Sequence, residues 1–133
     1  MLDTNVVSKL LKASRLHPRI EARSPASVVM SSLTEAELRY GLAKIPGATR
    51  LHGLAAAFFA RVSVLPFDAA AARAYGVLRS SYEAKGFSVG VIEGLIAAHA
   101  HATGCTLVTH DQALLQLTPW INVEGLQGSD FGS

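Results

Sequence analysis

Of the ten acidic residues in this 133-residue chain, four have no ready local explanation: Asp3, Glu37, Glu93 and Asp111. Asp3 closes the apolar opening "ML", and Asp111 follows "TLVTH", so both fall where a strand is expected to end. Each also suits an N-cap, for helices starting near Val6 and Gln112. Glu37 and Glu93 sit in helical text without a basic neighbour one turn away. Around Glu37 those positions hold Leu33, Thr34, Tyr40 and Gly41; around Glu93 they hold Val89, Gly90, Ile96 and Ala97. A distant arginine would account for either one. The other acids have plainer uses: Glu21, Glu83 and Asp130 are solvated, Glu35 and Asp68 cap helices, and Glu124 lies in a last strand.

Gathered without counter-charges, four carboxylates would repel and raise one another's pKa values. A hard divalent cation removes that penalty. Mg²⁺ or Mn²⁺, as one or two ions, accepts oxygen ligands, keeps waters and bridges to phosphate oxygens. The chemistry this suits is phosphodiester hydrolysis by metal-activated water. The histidines offer less. His99 and His101 project roughly 200° apart on one helix, His17 and His52 read as surface residues, and none has zinc-ligand spacing with Cys105. His110, beside Asp111, suits either phosphate contact or a plain loop. No phosphate-binding glycine loop or Ser-His-Asp pattern is present.

Composition sets the frame for that chemistry. Half the residues are hydrophobic and 17% are charged, which describes a globular chain. The length suits one domain over residues 1–126, with 127–133 as a frayed tail. The opening lacks a basic, secretory n-region, no run spans a bilayer, and a lone cysteine fits a reducing compartment, so a cytoplasmic protein without membrane contact is expected. The net charge of +2 is unevenly placed. Residues 1–66 carry nine lysines and arginines against four acids, and after Lys85 there is neither Lys nor Arg. A basic flank beside an acidic centre suits an enzyme that grips nucleic acid and cuts it through metal ions.

The elements that must position these residues alternate in type. Short continuous apolar runs ("PASVVMSS", "VSVLPF", "CTLVTHD", "WINVEGL") read as buried strands. Between them stand amphipathic helices: "VVSKLLKA", a short one opened by Pro18, "SLTEAELRYGLAKI", "ATRLHGLAAAFFARV", "AAAARAYGVLRSSYEAKG", "VIEGLIAAHAHATG" and "QALLQL". Ser32 and Glu35 make a capping-box signature. Asp68 is placed to cap the fifth of these helices, and Gly86 and Gly104 to stop the two long ones. Unalternating strands separated by helices predict an α/β fold with a parallel sheet covered on both faces. Ligands of such sheets bind at the carboxyl ends of the strands.

The segments "MLDTNVVSKLL", "SSLTEAELRYGLAKIP", "VLPFDAAAARAYGVLRSSYEAKG", "VIEGLIAAHAHATGCTLVTHD" and "INVEGL" together resemble a PIN-domain ribonuclease of the VapC toxin type, from Met1 to about Leu126. The resemblance implies a three-layer α/β/α sandwich with a central, mainly parallel sheet of about five strands. It implies Mg²⁺- or Mn²⁺-dependent cutting of RNA, a homodimer, and a VapB-type antitoxin that blocks the site in a toxin–antitoxin hetero-oligomer. Asp3, Glu37, Glu93 and Asp111 match the family's four catalytic, metal-holding acids. Thr4, Asn5, Thr109 and His110 match neighbouring positions that orient the acids or touch substrate. Two departures stand out. The third acid is usually Asp, and Glu93 is one methylene longer; a catalytically weak module that binds RNA or antitoxin is the alternative this implies. The arginine expected after the fourth acid is missing, which moves the RNA grip to Lys9, Lys12 and Arg39.

Overall fold

The chain's first three residues form the middle of its sheet. The structure, a computed structural model, describes residues 1–13 and 27–126. Strand β1 (Val29–Ser31) pairs in parallel with β2 (Ser63–Leu65), and β3 (Leu107–Thr109) pairs in parallel with β4 (Val123–Gly125). Met1–Asp3 joins the two pairs. Leu2 N donates to Val29 O (2.9 Å) on one side, while Val108 N donates to Met1 O (2.8 Å) and Asp3 N to Val108 O (3.0 Å) on the other. The resulting order is β2, β1, Met1–Asp3, β3, β4: among the described residues four strands and one bridging segment stand where about five strands were expected.

Strand side chains alternate between faces, and here that alternation builds two cores. Met1, Val29, Leu65, Leu107 and Val123 pack on one face with Leu78 and Tyr82 of α4 (Ala69–Ala84), Ile96 and Ala97 of α5 (Val91–Ala102), and Leu114 of α6 (Gln112–Leu115). Their chain neighbours Leu2, Met30, Val64 and Val108 pack on the other face. Their partners there include Val6 and Leu10 of α1 (Thr4–Ala13), Leu38 of α2 (Ser32–Ala43), and Ala55 and Phe58 of α3 (Thr49–Arg61). This is the three-layer α/β/α sandwich. Among the described residues no helix is long and apolar enough to cross a membrane.

Most helix ends follow the text. The Asp68 carboxylate accepts from Ala71 N (2.9 Å), and Gly86 and Gly104 take positive φ (+83° and +72°) where α4 and α5 stop. The capping box at α2 does not form. The N-cap is Ser31, whose hydroxyl accepts from Leu33 N (3.1 Å). Ser32 instead accepts from Phe67 N (3.0 Å), and Glu35 turns outward to Arg39 (2.6 Å). The reason is tertiary: the β2–α4 connection offers Ser32 a donor that local pattern does not reveal. The helix expected at Pro18 and the tail 127–133 lie outside the described residues.

Candidate active site

The same alternation that builds the cores lines up three polar residues. Ser31, Asp3 and Thr109 each stand two positions beyond an apolar residue facing α5 (Val29, Met1 and Leu107), at the ends of neighbouring strands. All three are buried, and with Thr34 and His99 they make up the buried polar residues among those described. A buried polar group must find a partner, and these do. Thr109 Oγ1 donates to Asp3 Oδ2 (2.6 Å) and accepts from Asp111 N (3.0 Å). One hydroxyl thereby fixes the Asp3 carboxylate and the backbone that carries Asp111. His99 Nδ1 lies 2.8 Å from Ser31 Oγ.

Asp3 is 1% exposed. Burial pushes its carboxyl above the ordinary 3.8; the Thr109 hydroxyl and the Thr4 backbone pull it back, the charge of Asp111 pushes it up, and His110 pulls it down. Burial wins, so the ionised form is held at a cost. On the next helix, Thr4 Oγ1 donates to Glu37 Oε1 (2.6 Å) and lies 3.2 Å from Thr34 Oγ1. Since Thr4 follows Asp3 in the chain, this bond brings Glu37 to the same strand end. Asp111 does cap α6, its Oδ1 accepting from Ala113 N (2.8 Å), and its second oxygen is not used in that cap.

Glu93 is placed differently. It lies in the first turn of α5, where the helix macrodipole favours an acid, and its carboxylate folds back against Gly90, filling the space that a Cβ there would take. No described hydrogen bond ties it to Asp3, Glu37 or Asp111. Gly94, directly after it, is explained by packing: a Cβ there would lie 2.9 Å from the Tyr82 hydroxyl and 3.4 Å from Tyr75 Cε1. The glycine lets α4 and α5 approach closely. Among the other positions, Asn5, Lys9 and Lys12 are on exposed parts of α1 and His110 is half-buried. Arg39 is engaged by Glu35 and lies over the Phe59 ring, 4.5 Å from its centroid.

The donors at this strand end are oxygens, which suits a hard divalent cation. Neither described lysine- or arginine-carboxylate pair, Arg39–Glu35 or Arg79–Glu83, involves the four acids. Among the described residues, no three His, Cys, Asp or Glu side chains stand close enough together to hold a metal on their own. Asp3 and the Asp111 backbone share the Thr109 hydroxyl, Glu37 is held by the hydroxyl of Thr4, and no described hydrogen bond joins Glu93 to them.

Residues 1–118 match the PIN-domain family. The chain belongs to that family. Its relatives include a VapC ribonuclease from Sinorhizobium fredii, 35% identical over 90% of this chain and 96% of that protein. Another is a tRNA(fMet)-specific endonuclease VapC from Salmonella typhimurium, 33% identical over 93% and 95%. The fold of this PIN domain superposes on VapBC2 of Rickettsia felis, solved with a promoter DNA fragment, at a TM-score of 0.85, with 28% identity over 96% of this chain and 98% of that one. DNA-bound VapBC of Salmonella typhimurium gives 0.82 with 32% identity, over 94% and 96%. The VapC-type resemblance drawn from the sequence is confirmed.

Sequence reasoning missed Ser31, Thr34 and His99. The signal was present for Ser31: in "VMS", as in "MLD" and "LVT", a polar residue follows two apolar ones at a strand end.

Proposed function

We propose that this PIN domain is a metal-dependent endoribonuclease toxin, held inactive by a VapB-type antitoxin. The observation that carries the reading is Asp3, a buried carboxylate at the end of the central strand, fixed by Thr109 and destabilised by burial and by Asp111. An acid whose ionised form is disfavoured by burial suits a cation partner. The relatives' ribonuclease names and their antitoxin-bound structures support the same reading.

Asp3, Glu37, Asp111 and Glu93 would hold the Mg²⁺ or Mn²⁺. When bound, such an ion supplies a water of lowered pKa and offsets the negative charge that grows on a phosphodiester under attack. The chain's own residues do the rest. Thr109 orients Asp3 and fixes the Asp111 backbone, and Thr4 directs the Glu37 carboxylate. Asn5, which is exposed, and His110, which is half-buried, would contact substrate. Lys9 and Lys12 on α1 give the flank its positive charge, while Arg39, already engaged by Glu35, contributes less to phosphate binding.

The test is cleavage of total RNA by antitoxin-free protein in Mg²⁺ or Mn²⁺, with fragment ends sequenced. Wild type should cut at defined positions and Asp3→Asn should not. Equal cutting by both would overturn the assignment.

One observation favours a second reading, a weakly cutting module that binds RNA or antitoxin: the Glu93 carboxylate lies against Gly90. Glu93→Asp separates the two. A large gain in Mn²⁺ affinity and cleavage rate favours the weak module, and a loss shows a site built around glutamate.

A further inference from the structure

His99 is fully buried, yet the catalytic reading gives it no role. Its ring lies edge-on to Phe67, with centroids 5.4 Å apart. Burial lowers its pKa, against the pull of Asp68 and of the Pro66 carbonyl, so the ring is neutral near pH 7. Nε2 is buried without a partner in hydrogen-bonding geometry. Leucine would fill similar space without a buried polar ring; the described side-chain bond that the imidazole makes is through Nδ1.

Nδ1 meets Ser31 Oγ at 2.8 Å. Ser31 already accepts the Leu33 N–H, leaving its one proton for His99. The hydroxyl can therefore donate to Nδ1, and the Pro66 carbonyl beside the ring suits a proton on Nε2. The two ends of the Ser31–His99 bond are informative. Ser31 is the N-cap of α2, the helix that presents Glu37, and His99 lies on α5, the helix that presents Glu93. The two helices meet at this bond, one strand over from the Asp3–Thr109 pair.

We propose that His99 is a positioning residue: through Ser31 it locks α2 to α5 and so sets Glu37 relative to Glu93. The inference rests on the reading of those acids as metal ligands. Partners of this kind, one bond removed from ligands, typically change metal affinity by about 10- to 100-fold.

The test uses the full, antitoxin-free chain and Mn²⁺ alone, with free ion counted by electron paramagnetic resonance and urea midpoints recorded alongside. Asn places its amide oxygen near the position of Nδ1, whereas Gln reaches toward that of Nε2. His99→Gln and Ser31→Ala should each weaken Mn²⁺ binding about tenfold, the double variant should lose little more, and His99→Asn should restore binding. A merely structural histidine would lower the urea midpoint and leave the Mn²⁺ affinity of the folded protein unchanged, which would overturn the proposal. Asp3→Asn and Glu37→Gln serve as controls. If they weaken binding while the His99 and Ser31 variants do not, the lock is wrong and the site stands; if they too leave binding unchanged, both fall. Should the His99 variants not fold, the imidazole ¹⁵N shifts of the wild-type protein decide. A proton on Nε2 with Nδ1 accepting is expected, and a proton on Nδ1 overturns the bond as assigned.

Discussion

Replacing Gly94 by alanine sets two known effects against each other at one point. Glycine inside a helix costs about 1 kcal/mol relative to alanine, so propensity alone says that Gly94→Ala stabilises α5. The structure says otherwise, because the added Cβ would stand 2.9 Å from the hydroxyl of Tyr82, which is itself 1% exposed. Tyr82 belongs to the same buried core as Leu78, Ile96 and Ala97, where close packing resists displacement of the ring. Overpacking of this kind costs about 1–3 kcal/mol. The net expectation is a loss of roughly 1 kcal/mol, with a range from neutral to about 2. Tyr82→Phe deletes the offending atom; the nearest remaining neighbours, Tyr75 Cε1 at 3.4 Å and Tyr82 Cζ at 3.9 Å, are ordinary contacts. In that background Gly94→Ala should become stabilising by up to about 1 kcal/mol. The coupling across the four proteins should then be about 2 kcal/mol, within the range for touching residues. Urea titrations of wild type, both single variants and the double variant measure it. Equal effects of Gly94→Ala in the two backgrounds, or stabilisation by the full propensity gain in wild type, would show that the glycine is not there for the tyrosine.

Asp3→Asn should abolish RNA cleavage and raise the melting temperature at pH 7 without metal. Because burial raises the folded carboxyl's pKa, the penalty on wild type is full above that pKa and fades as pH falls toward 3.8, so the variant's advantage should shrink in acid. His99 slopes the other way. Its folded pKa is lowered, so wild type should lose stability as pH drops through 6.5, and His99→Asn should flatten that part of the thermal-stability profile. Asp111→Ser keeps a capping oxygen and loses the carboxylate, so its urea midpoint should stay close to wild type while Mn²⁺ binding falls; Asp111→Ala should in addition lose about 1 kcal/mol. Thr109→Val strands two partners of one hydroxyl, and should cost about 1–3 kcal/mol in urea along with most of the cleavage rate.

The sandwich was legible because its strands are short apolar runs and its helices end on Asp68, Gly86 and Gly104, signals that act within a few residues. That Asp3 and Asp111 stand just past strand ends was legible for a related reason: each follows a short apolar run closely. What could not be read depended on contacts between distant segments. Ser31 and Ser32 are both competent caps, and the choice is made by the Phe67 N–H, 35 residues away from Ser32. Glu35 fitted a capping box until Arg39 proved the nearer partner. Nothing near Gly94 in the sequence announces that Tyr82 and Tyr75 of the neighbouring helix require a glycine there. The bond of His99 to Ser31 spans 68 positions that no periodicity connects.

The seating of Met1–Asp3 between β1 and β3 also fixes when the molecule can become active. The Asp3 carboxylate is held by a hydroxyl 106 residues further along the chain. A ribosome adding about 5–20 residues per second releases the first strand long before the strand that closes over it. The central strand must therefore wait, half-paired, for nearly the whole domain to be made. Contacts this distant slow folding, and here they also mean that a chain stopped before Thr109 lacks the hydroxyl that orients Asp3. In a domain arranged in this way the carboxylate at the centre of the sheet cannot be oriented until the chain has been made as far as Thr109.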